Sequence, residues 1–353
     1  MAVLWANLVT VYMFSFFART IGRSSLGGAA PPRTNALLAF AAGVTLVLVS
    51  GLRANIGDTY FYMRTFSTRD YTWDNLFMND DFGFVALQIL LKTITNDPQI
   101  LVFVCALVTN VLIVWVLYRY AHMFDVSVYV YVTSGMYLVS MNGMRQFLAA
   151  SILFAATKYV MEGKWRPYFA FVLLASIFHQ SAIIFIPVYF IVRLRAWTWS
   201  TYLLLGITIL FVVGYAQFME VVFDALQNTQ YGQYKEFSEG GANLVRVAVH
   251  AVPVVLAYLG RKRLRELSPE SDIVVNMSLL GVVIMIISTQ NWIFARFSIY
   301  FGLYSLILIS WIVKLFVPQQ RKLVYYAIVV CYGLYFFYEH EISLGIIYRS
   351  NFL

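Results

Sequence analysis

The chain has 353 residues, 61% of them hydrophobic and 12% charged, and a mean hydropathy of +0.73. A soluble domain carries about a quarter charged residues, so the composition excludes a water-facing globule. It predicts an all-α polytopic membrane protein forming one integral domain over 1–353. The net charge of +8 sits in short loops between apolar runs, a placement that speaks for membrane topology and against nucleic acid.

Apolar runs of about 17–25 residues cross a bilayer, and shorter ones suffice inside protein. The opening MAVLWANLVTVYMFSFFA has neither a basic leader nor a small-residue cleavage site, and predicts an uncleaved helix over 1–18. A second helix follows at 35–51. An acidic, aromatic loop, 52–82, leads into GFVALQILLKTIT at 83–95, which predicts a short interfacial or re-entrant helix within an outer loop 52–99. Further helices are expected near 100–118, 126–141, 145–161, 167–178, 181–192, 201–223, 244–259, 273–290, 297–317 and 322–338, about twelve crossings in all. Cys105 and Cys331 lie in apolar runs and read as buried thiols.

Basic clusters orient these crossings. Arg19, Arg23 and Arg33, then Lys164 and Arg166, Arg193 and Arg195, the GRKRLRE run at Arg261–Arg265, and Lys314, Arg321 and Lys322 can all be cytoplasmic. That arrangement requires the apolar stretch around SIFHQSAIIF to be a hairpin and puts His179 at its outer tip. The loop 52–82, the turn MNGMRQ, the loop Gln227–Ala242 and the turn NWIFARF then share the outer face.

Three isolated arginines fall on that face: Arg53, Arg145 and Arg296. Each could snorkel to headgroups alone, but together they are costly unless they hold an anion. The planar guanidinium suits a diphosphate through paired, charge-assisted hydrogen bonds. Asp58 either pairs with one of these arginines or acts as a base. Tyr60 and Tyr62 are either interfacial belt residues or part of the same site. Gln146 could bind a sugar hydroxyl or cap backbone. His179 could be a structural residue, or a neutral imidazole that accepts a hydroxyl proton. No histidines stand at metal-ligand spacing, the acidic pair Asp80–Asp81 lacks the D-x-D form, and no glycine-rich phosphate loop or G-x-S-x-G turn occurs, so neither metal nor cofactor is expected.

GLRANIGDTYFY, MRQFLAAS, IFHQSAIIFIP and ARFSIYF, in this order over roughly 35–305, resemble the EpsG family of Wzy-like exopolysaccharide polymerases. The resemblance implies a metal-independent, inverting membrane glycosyltransferase of the GT-C type in the bacterial cytoplasmic membrane. Its substrates would be polyprenyl-diphosphate-linked oligosaccharides, joined at the extracytoplasmic face. A chain-length regulator and a flippase of the same pathway would be its protein partners. The family motif carries over to Arg53, Asp58, Arg145, Gln146, His179 and Arg296. Gln227–Ala242 is short for a Wzy-type external loop, and Asn55–Ile56 departs from the pattern before Tyr60. Two other classes remain open on the residues alone: a transporter or flippase of lipid-linked sugars, and a membrane acyltransferase.

Overall fold

The computed structural model describes residues 1–22, 34–78, 80–215, 217 and 240–352. Among them the regular structure is helical, and one isolated backbone bridge joins Arg53 to Ser350. Contacts cluster the chain into two units, Met1–Phe190 with Ile309–Leu353, and Ile191–Leu308.

The first unit contains α1 (Ala2–Thr20), α2 (Ala36–Gly51), α3 (Thr59–Thr68), α4 (Phe82–Lys92), α5 (Gln99–Tyr120), α6 (Phe124–Thr133), α7 (Met136–Asn142), α8 (Met144–Ala155), α9 (Thr157–Met161) and α10 (Trp165–Phe178). After α10 come a 3₁₀ turn, Gln180–Ile184, and α11 (Phe185–Val192). The core is a chain of neighbours: α1 packs on α2 and α6, α2 on α5, α5 on α8, and α8 on α10. Small and apolar positions such as Ala42, Leu46, Leu101, Ile113, Phe147 and Val172 are buried along these seams. Burying such side chains is worth about 1.5–3 kcal/mol each where they leave water. Inside a bilayer, close packing and polar contacts between helices replace that drive. One such contact is an ion pair: Arg19 Nε lies 2.7 Å from Asp125 Oδ1 on α6. Tyr325 donates to Asp125 Oδ2 at 2.7 Å and meets the Tyr12 hydroxyl at 2.6 Å. The network joins α1 and α6 to α17 (Pro318–Phe336).

The second unit holds α12 (Trp199–Val213), α13 (Leu244–Leu259), α14 (Arg261–Leu267), α15 (Ser271–Ile287) and α16 (Ala295–Ile312), whose last turn returns to the first unit. Asn243 caps α13 by accepting from Arg246 N at 2.9 Å, and the chain bends by 84° at Gly260 into α14. Arg265 is held by Asp272 at 3.1 Å and donates to Ala196 O at 2.9 Å.

Three stretches among the described residues are long and apolar enough to cross a membrane: Ala2–Thr20, Gln99–Tyr120 and Trp292–Leu315. The bent α13–α14 pair makes a fourth if taken as one span, and eight shorter apolar helices accompany them. Large apolar side chains such as Leu37, Phe40, Ile209, Leu210 and Leu323 face outward. In water such a surface would be an aggregation hazard; in lipid it is the solvent-facing side. The protein is an all-α membrane protein.

Several expected helices are divided. The stretch at 126–141 breaks at Gly135, whose φ of +86° only glycine adopts without strain. A Cβ there would also lie 2.6 Å from His340 Nε2. His340 is buried in a π-helical turn, Phe337–Ser343, that follows α17. The stretch at 145–161 breaks at Ala156. The 181–192 segment starts as a 3₁₀ turn because His179 is extended, with φ −155° and ψ 114°. Loop 52–82 folds partly into α3 and a 3₁₀ turn, Trp73–Met78. Cys105 is buried, whereas Cys331 is exposed. Arg23, Arg33, most of Gln227–Ala242 and the end of the helix expected at 201–223 lie outside the described residues.

Candidate functional site

The site forms where α8 begins, α10 ends and α4 begins. Arg145 is the second residue of α8, after Gly143 and Met144. His179 terminates α10 and opens the 3₁₀ turn, its N–H bonded to Ala175 O at 3.0 Å and its carbonyl taken by Ala182 N at 3.0 Å. Asp81 stands at the N-cap of α4. An aspartate there ordinarily accepts from the first-turn N–H groups, yet this carboxylate makes no such bond. It reaches across the site instead.

Asp81 Oδ2 accepts from Arg145 Nη1 at 2.8 Å. Its Oδ1 accepts from Gln180 N at 3.1 Å and lies 3.9 Å from His179 Nδ1. Asp80 adds a contact, accepting from Gln180 Nε2 at 3.2 Å. The approach of the two chain segments depends on Gly83, where a Cβ would sit 2.7 Å from Ile177 Cγ1 and 2.8 Å from Ile177 O. Glycine is needed because backbone meets backbone.

The aromatic wall is Tyr62 with Phe84. Both rings lie 5.9 Å from the Arg145 guanidinium and 5.8 Å from each other. This geometry restrains the guanidinium by cation–π attraction as well as by Asp81. Burial raises the Tyr62 hydroxyl above its ordinary range, while the charge and hydrogen bond of Arg145 pull it back. The phenol is thus neutral, and it faces a cation that remains part-exposed, with 42% of its side chain accessible. Arg145 therefore combines a fixed position with access for an anion.

Arg53 sits differently. Only 1% of it is exposed. Nε donates to Thr59 Oγ1 at 2.9 Å, Nη2 to Met141 O at 2.7 Å, and Nη1 to Ser50 O and Ser50 Oγ. Burial pushes its pKa down to about 10, which still leaves a cation at neutral pH. The guanidinium ties the end of α2 to the start of α3 and to the residues just before Arg145. The turn it supports is tight: Ile56 has φ +86° and Gly57 φ +52°. A β-branched residue in that region is strained. Thr59 bonds to Ile56 O through N at 3.2 Å and Oγ1 at 2.7 Å, and Asn142 Oδ1 accepts from Asp58 N at 2.9 Å.

The other expected residues are not part of this cluster. Asp58 is exposed, and the Tyr62 hydroxyl feels its charge. Tyr60 is 69% exposed, and Gln146 is buried next to Arg145. Arg296 belongs to the second unit, where its guanidinium lies 5.1 Å over the Trp292 ring and is exposed. The structure thus brings together Arg145, His179 and Tyr62 around Asp81, a residue that sequence reasoning passed over. The D-x-D form concerns metal ligation; the sequence signal that bears on Asp81 is a pair of acids just before an apolar helix that also carries an early glycine. Among the described residues, no group of three or more His, Cys, Asp or Glu side chains converges to hold a metal ion.

No curated protein and no solved structure matches the chain. The family model described as the EpsG family matches residues 36–343. That span covers nearly all the helices described above, including every element of the Arg145–Asp81–His179 cluster, and the chain belongs to the EpsG family.

Proposed function

We propose that the protein is an exopolysaccharide polymerase that joins polyprenyl-diphosphate-linked oligosaccharides by inverting glycosyl transfer, without a metal, at the outer face of the bacterial cytoplasmic membrane. Membership of the family supports the reaction class. The observation that carries the reading to particular residues is an accessible arginine and a histidine meeting on one buried carboxylate.

In the reaction, Arg145 pairs with the donor diphosphate. His179 accepts the proton of a hydroxyl on the acceptor's terminal sugar. The oxygen's electron pair forms a bond to the donor's anomeric carbon from the face opposite the diphosphate. The anomeric carbon–oxygen bond breaks with its pair on the departing polyprenyl diphosphate. Negative charge grows on that leaving group, so a guanidinium held in place before reaction stabilises the transition state more than the ground state. Holding both lipids in the plane of the membrane supplies orientation. Arg53 supports the turn that carries Asp58 and α3, and Tyr60, Gln146 and Arg296 keep their assignment to sugar or diphosphate contacts. In this reading the divided helices count as interrupted spans of a GT-C-like bundle of about twelve crossings, and the cluster belongs to the outer side.

The test is polymer formation in a strain lacking this chain, complemented by variants at matched membrane levels. Wild type and Asp58→Asn should restore polymer, and His179→Ala and His179→Asn should not. A general base contributes on the order of 10²–10⁴ in rate. Polymer from His179→Ala at the wild-type rate would refute the assignment, and activity lost only in Asp58→Asn would make Asp58 the base.

A further inference from the structure

Asp81 lies between Arg145 and His179 and hydrogen-bonds only the first of them. Its Oδ2 is committed to Arg145 at 2.8 Å, while its Oδ1 stops 3.9 Å short of His179 Nδ1. A hydrogen bond needs about 2.7–3.2 Å, so a shift of roughly 1 Å, within reach of a side-chain rotation, separates the two arrangements. Oδ1 already accepts from Gln180 N at 3.1 Å and can keep that bond while it turns toward His179, the next residue back, and the backbone approach is set by the close pass of Gly83 against Ile177. Among the described residues, the charged or titratable groups gathered at this end of α10 are Asp81, which lies against His179, Asp80, which binds Gln180, Arg145 on Asp81, and Tyr62 beside Arg145. The carboxylate's present partner, Arg145, is the group that a diphosphate would claim.

We propose that Asp81 is a positioning residue that exchanges partners: it holds Arg145 before the donor arrives and closes onto His179 Nδ1 when the donor's diphosphate takes Arg145. The exchange rests on the reading of the site given above. It links base activation to donor binding. A carboxylate on Nδ1–H fixes the imidazole tautomer and stabilises the imidazolium that forms as Nε2 accepts the acceptor's proton. Until the donor binds, the histidine lacks that support. An activated base without a bound donor has nothing productive to do, and the arrangement avoids creating one. The exchange also makes Asp81 a competitor of the diphosphate for Arg145.

Those two roles give opposite signs in one variant. With full-length protein in nanodiscs and farnesyl diphosphate as the binding probe, Asp81→Asn should tighten binding about threefold, since a part-exposed pair of this kind is worth only a few-fold. With lipid-linked repeat units extracted from a strain lacking the chain, the same variant should lose about ten- to hundredfold in kcat, less than His179→Ala, with the acid limb of its kcat profile displaced to lower pH. Weaker probe binding with an unmoved pH profile would make Asp81 merely structural and overturn the proposal, as would an unchanged kcat. A second measurement needs no variant of Asp81. In wild-type protein labelled with ¹⁵N-histidine, which has four histidines to assign, farnesyl diphosphate should move the His179 Nδ1–H proton downfield; an unmoved signal at saturating probe would overturn the exchange. His179→Ala separates this proposal from the reading beneath it. If that variant still polymerises, the functional assignment fails; if it is inactive while Asp81→Asn matches wild type, only the exchange fails.

Discussion

At the scale of single residues, two arginines of the same sequence signature have opposite surroundings. Arg53 spends its donors on Ser50, Thr59 and Met141, whereas Arg145 keeps part of its guanidinium accessible. Arg53→Ala would orphan buried acceptors at about 1–3 kcal/mol each. It should therefore lower the amount of folded protein recovered and its thermal stability, with farnesyl diphosphate affinity of the surviving fraction unchanged. Arg145→Ala should do the reverse, keeping stability while losing diphosphate affinity tenfold or more, with lysine a partial substitute at best. Binding measured on detergent-purified, monodisperse protein distinguishes them, and a normal affinity in Arg145→Ala would contradict the assignment. His122 gives a pH signature of its own. Burial, with Lys314 nearby, pushes its pKa down to about 4, and its ring stacks on Trp311 at 5.2 Å. The unfolded chain takes this proton near pH 6.5, so stability is full above that value and falls as pH drops toward 4. Unfolding temperature should decline across that window in wild type and decline less in His122→Phe; parallel curves would contradict it.

At the scale of elements, the C-terminal segment acts as a strap over the Arg53 turn. Ala54 N donates to Arg349 O at 2.8 Å, Arg349 N to Asn55 Oδ1 at 2.7 Å, Ser350 Oγ to Leu52 O at 2.5 Å and Tyr348 OH to Val49 O at 2.9 Å. Truncation after Ser343 should lower the unfolding temperature by several degrees and reduce polymer formation, because the strap supports the turn that positions α3 and Tyr62. Retention of full activity and stability would remove the strap from the account. Gly83→Ala should cut turnover without unfolding the bundle, since its Cβ would push α4 away from Ile177 and Asp81 away from His179. The apolar runs made most of these helices legible: the boundaries at 35–51, 100–118 and 244–259 fall within two residues of α2, α5 and α13. What hydropathy could not reveal were interruptions with tertiary causes. Gly135 breaks its helix where the distant His340 packs, and His340 itself, in an EHE stretch that looks like a polar terminus, is buried. Likewise α3 carries only a half-apolar face, so its segment reads as loop until Tyr62 and Phe66 are seen buried.

At the scale of the whole molecule, the residues given a chemical role gather in the unit formed by the chain's first half and its C-terminus, with Arg296 alone in the other. His179 and Arg145 could be picked from sequence because ionisable groups are rare in apolar chain. Asp81 could not, since its significance lies in three contacts made by segments about 35–100 residues apart. The central claim is that this cluster transfers a glycosyl chain from one diphosphate lipid to another. Its most direct test is the purified protein in liposomes supplied with lipid-linked repeat units, following released polyprenyl diphosphate and product length together. The account predicts one diphosphate lipid released for each new glycosidic bond, an inverted anomeric centre, and neither product nor release from His179→Ala even though farnesyl diphosphate still binds. Polymer growth from His179→Ala at the wild-type rate, or chain growth without stoichiometric release of polyprenyl diphosphate, would contradict it.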